Sequence, residues 1–172
     1  MILTGRRVTL RSATRGDLSR LQEIRDEPEV ASRWGELEPG ELEGFVDDEL
    51  TLVIEVEGEV LGAIQFEEET DPMYRRAGID IYLTASRHNE GLGSEAVWVL
   101  AKHLIEERSH HRLTIDPAAD NLAAIRAYEK VGFRRVGVLR DYERGPDGTW
   151  HDGLLMDLLA HELRDPGAGG HR

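Results

Sequence analysis

Gly78-Ile79-Asp80-Ile81-Tyr82-Leu83, then His88-Asn89-Glu90-Gly91-Leu92-Gly93-Ser94, then Ala96, Val97, Leu100, Ala101, Leu104 and Ile105 at helical spacing: the reading of this stretch decides the fold. The first run reads as a strand and the last as one long amphipathic helix. Gly91 and Gly93 fall where the loop between them enters that helix. A helix start exposes unpaired N–H groups and the positive end of the macrodipole. Glycines without side chains let a ligand approach that backbone, and the spacing suits a pyrophosphate held by main-chain amides. Alone, a Gly-x-Gly at a helix start is more often only a turn. The loop lacks the Lys-Ser/Thr pair of a P-loop, and it lacks the further glycine of a dinucleotide fingerprint.

Working outward, Arg7-Val8-Thr9-Leu10-Arg11 alternates as a first strand. Asp17 is placed to cap a helix carrying Leu18, Leu21 and Ile24 and ending near Pro28. A second short helix is expected after Pro39-Gly40, with Leu42, Phe45 and Val46 inward. Two β-rich runs, Thr51-Leu52-Val53-Ile54-Glu55-Val56 and Val60-Leu61-Gly62-Ala63-Ile64-Gln65-Phe66, are joined by the turn Glu57-Gly58-Glu59. An acidic loop comes next, over residues 67–72. Past the long helix, Arg112-Leu113-Thr114-Ile115-Asp116 reads as a strand ended by Pro117. Asp120, or Asn121 beside it, is a candidate cap for a helix with Ala124, Ile125, Tyr128 and Val131 inward and Gly132 as its stop. Residues 133–142 and 150–159 form a final strand pair around Gly145-Pro146-Asp147-Gly148. The expectation is an α/β fold with a mixed central sheet of about seven strands and helices on both faces. Residues 1–164 form a single domain, and residues 165–172 a Gly-rich, frayed tail.

The bulk properties narrow the function classes. A chain of 172 residues fits one domain with a sizeable core. Residues 1–10 lack an apolar signal core, and no apolar run approaches the roughly 18 residues of a membrane span. The chain contains no cysteine, so disulfides and thiolate metal sites are excluded and the cytoplasm is the default location. A net charge of −13 repels nucleic acid and anionic lipid and attracts cations.

The segment downstream of the glycine loop gives that loop specificity. Asn121-Leu122-Ala123-Ala124-Ile125-Arg126-Ala127-Tyr128-Glu129-Lys130-Val131-Gly132-Phe133 resembles the Asn-x-x-Ala-x-x-x-Tyr-x-x-x-Gly-Phe stretch of the GCN5-related N-acetyltransferase (GNAT) superfamily. In that superfamily it comes after a Gln/Arg-x-x-Gly-x-Gly/Ala pyrophosphate loop. Here the loop is His88-Asn89-Glu90-Gly91-Leu92-Gly93, with histidine at the first position and Arg87 beside it. The resemblance runs from Arg7 to Leu159. It implies a largely antiparallel sheet splayed at its middle, with acetyl-CoA as cosubstrate slotted between the splayed strands and no metal. The cofactor residues it implies are Ile81, Tyr82, Leu83, His88, Asn89, Glu90, Gly91, Leu92, Gly93, Ser94, Asn121, Ala124 and Tyr128. Within the superfamily, the acidic segment Glu67-Glu68-Glu69-Thr70-Asp71-Pro72, then Gly78-Ile79-Asp80, Asp116-Pro117 before Asn121-Leu122, and Trp34-Gly35, are similar to the aminoglycoside 6′-N-acetyltransferases. That likeness implies that Trp34, Asp80 and Asp116 meet the acceptor.

The chemistry is direct attack of a neutral amine on a thioester. An ammonium cannot attack, so a carboxylate must take one proton, directly or through water. Asp116, at a strand end before Pro117, is the candidate base; its plain alternative is a turn residue. Asp80 either faces the same cleft or only decorates a strand's polar face. A main-chain N–H of Ile81, Tyr82 or Leu83 is placed to meet the oxyanion. Tyr128, matching the superfamily's tyrosine near the sulfur, is the candidate donor to the leaving thiolate, and otherwise a core aromatic.

Other tempting residues read blandly. His110-His111 is expected as a surface turn rather than a metal pair. His151 and Asp152 point to opposite faces of a strand and do not share a site. Trp34, Trp98 and Trp150 are expected as partial core. The expected partners are coenzyme A and a cationic amine, with neither nucleic acid nor membrane, and the final strand pair is compatible with a homodimer. Competing readings are an acyltransferase for a protein N-terminus or another small amine, and a non-catalytic acyl-CoA sensor.

Overall fold

The computed structural model describes residues 1–169. Its first strands form a hairpin, β1 (Ile2–Thr4) with β2 (Thr9–Ser12), rather than one strand over residues 7–11. The reason lies far along the chain. The buried Glu95 carboxylate accepts from the backbone N–H groups of Arg7 (2.7 Å) and Val8 (3.3 Å) and holds them out of the ladder.

Three short helices come next: α1 (Leu18–Arg25), α2 (Pro28–Trp34) and α3 (Glu41–Asp47). Helix α2 was not expected. Pro28 starts it instead of merely ending α1, because at the first helical position its missing N–H has no partner to lose. Strands β3 (Thr51–Val56) and β4 (Glu59–Glu69) meet at the two-residue turn Glu57-Gly58, both at positive φ (50° and 84°). β4 continues through the expected acidic loop. Glu67, Glu68 and Glu69 pair with Gly78, Ala77 and Arg76 of β5 (Arg76–Leu83), Arg76 and Arg108 offset the charge of Glu67 and Glu68, and His110 also meets Glu68.

Helix α4 (Leu92–Glu106), β6 (Arg112–Ile115), α5 (Leu122–Val131), β7 (Arg134–Arg144) and β8 (Trp150–Leu159) complete the order. The sheet has eight strands in the order β1-β2-β3-β4-β5-β6-β8-β7, the unforeseen β1 accounting for the difference from about seven. Among the described strands only β5 and β6 run parallel. One face packs on α4 and α5 through the larger core, with Leu52, Ile54, Phe66, Leu100, Ile125 and Met156; the other packs Val53, Ala63 and Tyr82 against α1–α3.

The sheet opens at its middle, as expected. β5 and β6 pair only at Ala77↔Leu113 and Gly78↔Thr114, then separate. Each strand is drawn away from the gap. A Cβ on Gly62 of β4 would lie 2.0 Å from the Tyr82 carbonyl oxygen, so only a glycine there lets β5 lean so closely onto β4. On the other side, Pro117 has no N–H to donate. Its carbonyl instead accepts from Leu154 N–H of β8 (2.8 Å), and Ala119 N–H donates to the Asp152 carbonyl (2.9 Å).

Two further expectations need correction. His110 is buried, 1% exposed, with Nε2 2.7 Å from Glu68, because its neighbour Glu68 lies on the core side of β4. Trp150 is 59% exposed, at the start of β8 where it pairs with Arg144 in the β7–β8 arm. Asp165, in the expected frayed tail, accepts two hydrogen bonds from Arg6 Nη1 (2.7 and 2.8 Å). The rest of that expectation, over residues 170–172, lies outside the described residues. Among the described residues no helix is long and apolar enough to cross a membrane.

Candidate functional site

Two cavities meet where the sheet parts. The first, about 420 Å³, runs along the diverging end of β5 to the start of α4. Every expected cofactor residue lines it except Glu90. Glu90 is spent on structure: its carboxylate accepts from Arg87 Nε (2.6 Å) and its carbonyl from Arg7 Nη1 (2.8 Å). Asn89 (φ 64°) and Gly91 (φ 77°) both take left-handed backbone to aim the chain into the helix. A Cβ on Gly93 would lie 3.3 Å from Leu83 Cδ1, so the bare backbone narrows the approach between loop and strand. Among the described residues the β5 edge facing β6 has no ladder partner past Gly78, which leaves alternate backbone groups of residues 79–83 to a ligand. The His88 ring is turned inward, with Nε2 3.0 Å from the Leu83 carbonyl. Arg33, Arg87, Arg126 and Lys130 bring positive charge to this groove.

The second cavity, about 580 Å³, lies between β5 and the end of β6 and carries the opposite sign. Glu67, Asp80, Asp116 and Glu143 line it, with Tyr142. Asp80 remains open to solvent, but protein surrounds most of it. That desolvation, and then the charge of Asp116, raises its pKa above the usual carboxylate value. Burial and then Asp116 likewise raise Glu143. Tyr142 donates its hydroxyl to Asp116 Oδ2 (2.5 Å), and that bond, helped by burial, pushes the phenol up to about 12.

Arg33, Trp34, Ile81, Asn121 and Tyr128 line both cavities and mark their junction. Trp34 is held from behind. The Arg25 guanidinium sits 5.4 Å from its ring centroid and 5.6 Å from that of Tyr82, and Arg25 Nη1 donates to Glu41 (3.0 Å). Asn121, not Asp120, caps α5: its Oδ1 accepts from Ala124 N–H (3.3 Å). Asp120 instead accepts from Arg33 of α2, an ion pair between the α2 side and the α5 side of the junction. Tyr128 is buried, and burial followed by the charges of Asp80 and Asp116 raises its pKa well above that of a free phenol. It therefore keeps its proton through neutral pH. Among the described residues no group of three or more His, Cys, Asp or Glu is arranged to hold a metal ion.

Comparison with known proteins places this geometry. The acetyltransferase (GNAT) domain model matches residues 7–134. The chain belongs to the GNAT acetyltransferase family. This GNAT chain is 34% identical over 164 residues to proteins named aminoglycoside N(6′)-acetyltransferase type 1 from Klebsiella pneumoniae and Serratia marcescens, covering 82% of this chain and 79% of each relative. A kanamycin resistance protein from Rhizobium radiobacter is 43% identical over 84 residues, 48% of this chain and 72% of that one. Among solved structures, Mycobacterium smegmatis RimJ in complex with CoA-disulfide superposes with a TM-score of 0.83 at 24% identity, over 96% of this chain and 90% of that one. Spermidine N-acetyltransferase from Vibrio cholerae, in complex with CoA and spermine, gives 0.77 at 22% identity, over 91% and 97%. These structural likenesses establish the fold. The family and the names of the relatives make this GNAT chain an N-acetyltransferase.

Trp34, Asp80, Asp116, Asn121 and Tyr128, each singled out in the sequence, line one cavity. The sequence reading missed Arg33, Tyr142 and Glu143. Arg33 sits on an unforeseen helix, and the other two sit on β7, which reaches the cleft because the sheet order sets β8 beside β6.

Proposed function

We propose that the protein transfers the acetyl group of acetyl-CoA to a primary amine of a polycationic acceptor, the 6′-amino group of an aminoglycoside. The observation that carries this reading is the pairing of a basic groove and an acidic cleft that share Tyr128 and Ile81. A diphosphate-bearing cosubstrate suits the first, a cationic amine the second, and the junction is where acetyl and nitrogen meet. The relatives named for aminoglycoside 6′-acetylation, similar over most of both chains, support the acceptor.

In this reading the pyrophosphate rests on the amides at the start of α4, and the pantetheine arm pairs with the free edge of β5. Asp80 and Glu67 hold the acceptor's ammonium groups. Asp116 takes one proton from the reacting ammonium. The freed amine attacks the thioester carbon, and a β5 main-chain N–H stabilises the oxyanion. As the C–S bond breaks, Tyr128, still protonated, donates to the leaving thiolate. The nitrogen's second proton replaces it through water. The net products are amide, CoA thiol and one proton passed from Asp116 to solvent.

An acidic cleft also accepts a linear polyamine, and the spermidine N-acetyltransferase fold keeps that second reading in play. Thiol release from acetyl-CoA, measured with kanamycin, spermine and a short peptide, separates the readings. Kanamycin is expected to turn over with the highest kcat/KM. Preference for spermine or the peptide would replace the aminoglycoside assignment, and inertness toward all three would overturn the proposal.

A further inference from the structure

The strongest feature that this mechanism leaves unused is built around Tyr142. The β7–β8 ladder changes register between Leu139 and Glu143, and Asp141 within that bulge takes a positive φ of 47°. A non-glycine residue there is strained and persists only where its surroundings hold it. They do: Asp141 N–H donates to Asp152 Oδ1 (2.9 Å). The bulge aims Tyr142 at Asp116, whose Oδ2 accepts its hydroxyl. Room for the ring comes from the facing strand, where a Cβ on Gly153 would lie 2.8 Å from Tyr142 Cδ1. The same stretch of β8 also fixes the backbone just after Asp116, through Leu154 N–H to the Pro117 carbonyl and Ala119 N–H to the Asp152 carbonyl. Among the described residues, the hydrogen bonds to the Asp116 carboxylate come from Tyr142 alone.

We propose that Tyr142, set by the Asp141–Asp152 bulge and seated on Gly153, is a positioning residue that pins one oxygen of Asp116 and leaves the other for the acceptor amine. This rests on the reading of Asp116 as base. A carboxylate tethered at one oxygen meets the amine in a fixed orientation, and proton transfer gains from such restriction. Asp152 and Gly153 then act through Tyr142 and need not touch acceptor or acetyl-CoA.

A double-mutant cycle tests it, using acetyl-CoA and whichever of kanamycin, spermine and the short peptide wild type turns over fastest. Tyr142→Phe keeps the ring but not the donor. It is expected to lower kcat about tenfold, the worth of one hydrogen bond to a charged group, with KM for acetyl-CoA unchanged. Gly153→Ala, which crowds the ring off its seat, should produce a loss of similar size. In an Asp116→Asn background, assayed at high enzyme concentration, neither change should cost more than about twofold, since the interaction is already gone. Unchanged kcat in Tyr142→Phe, or equal losses with and without the Asp116 carboxylate, would overturn the positioning role while leaving the base intact. Wild-type turnover by Asp116→Asn would remove the base itself and the positioning role with it. Retained CoA binding by each variant, measured by calorimetry, shows that the fold survives. Should Gly153→Ala fail this check, Tyr142→Phe alone decides the positioning role.

Discussion

Asp116, just past the end of β6, and Asp80, on β5, stand where the two strands part, and the proposed reaction uses both. Asp116→Asn should lower kcat by about 10²- to 10⁴-fold, the range of a positioned general base, with CoA affinity held within about twofold. Steady-state kinetics with kanamycin and calorimetry with CoA read the two numbers. Residue type, the strand-end position of Asp116 and the family likeness around Gly78-Ile79-Asp80 drew attention to these two carboxylates in the sequence. Tyr142 and Glu143 were not, because their approach depends on a bulge whose register no local pattern records. His110 was misread for a similar reason: its partner Glu68 lies 42 residues earlier, on the strand through the supposed acidic loop. Arg108, first, and then His110 hold Glu68 down to about 2 against an ordinary 4.5. A depressed carboxylate adds stability that is complete above its unfolded value and is lost as pH falls from there toward about 2. Wild type should exceed Glu68→Gln by about 2–3 kcal/mol near pH 6, and most of that gap should close near pH 3. Urea unfolding of both proteins at the two pH values measures it.

At the scale of elements, the site depends on glycines that allow close approach. Gly62→Ala would force a methyl group onto the Tyr82 carbonyl oxygen and push β5 off β4 along the stretch proposed to meet the pantetheine arm. The expected cost is about 3 kcal/mol of stability, read by denaturant unfolding, with a matching loss of CoA affinity. Gly93→Val should act differently. It presses on the tip of the Leu83 side chain rather than on sheet backbone and fills the approach at the start of α4, so calorimetry should show CoA affinity down by at least about tenfold, with a smaller loss of stability than Gly62→Ala. Most elements were legible because each announces itself locally: the β-rich runs of β3 and β5, the long apolar stripe of α4, and the stop of α5 at Gly132, whose φ is 113°. The two that were missed share a cause. β1 has three residues, too few to show a period, and α2 begins at a proline that serves equally well as a stop. Both are defined by distant partners, β1 by the hairpin that Glu95 steadies and α2 by Arg25 beneath Trp34.

For the whole molecule, the sign of the charge matters less than its division. The chain carries −13 overall, yet three arginines and a lysine against one glutamate line the groove proposed for CoA, while four carboxylates against one arginine line the cleft. Composition revealed the excess of acid but not where it gathers, which emerges only once β7 and β8 close the cleft. Such a field draws a polycation to the mouth, and salt screens it over a Debye length that shrinks from about 10 Å at 0.1 M to about 3 Å at 1 M. KM for kanamycin should therefore rise about three- to tenfold over that range of potassium chloride, and less for a monoamine acceptor, while kcat changes little. Initial-rate kinetics at several salt concentrations give these values. The fate of the acetyl group bears most directly on the proposed reaction. Kanamycin incubated with acetyl-CoA and the wild-type protein, its product resolved by mass spectrometry and NMR, should gain one acetyl group on the 6′-nitrogen. A product acetylated elsewhere, or unmodified kanamycin from protein that binds CoA, would contradict it.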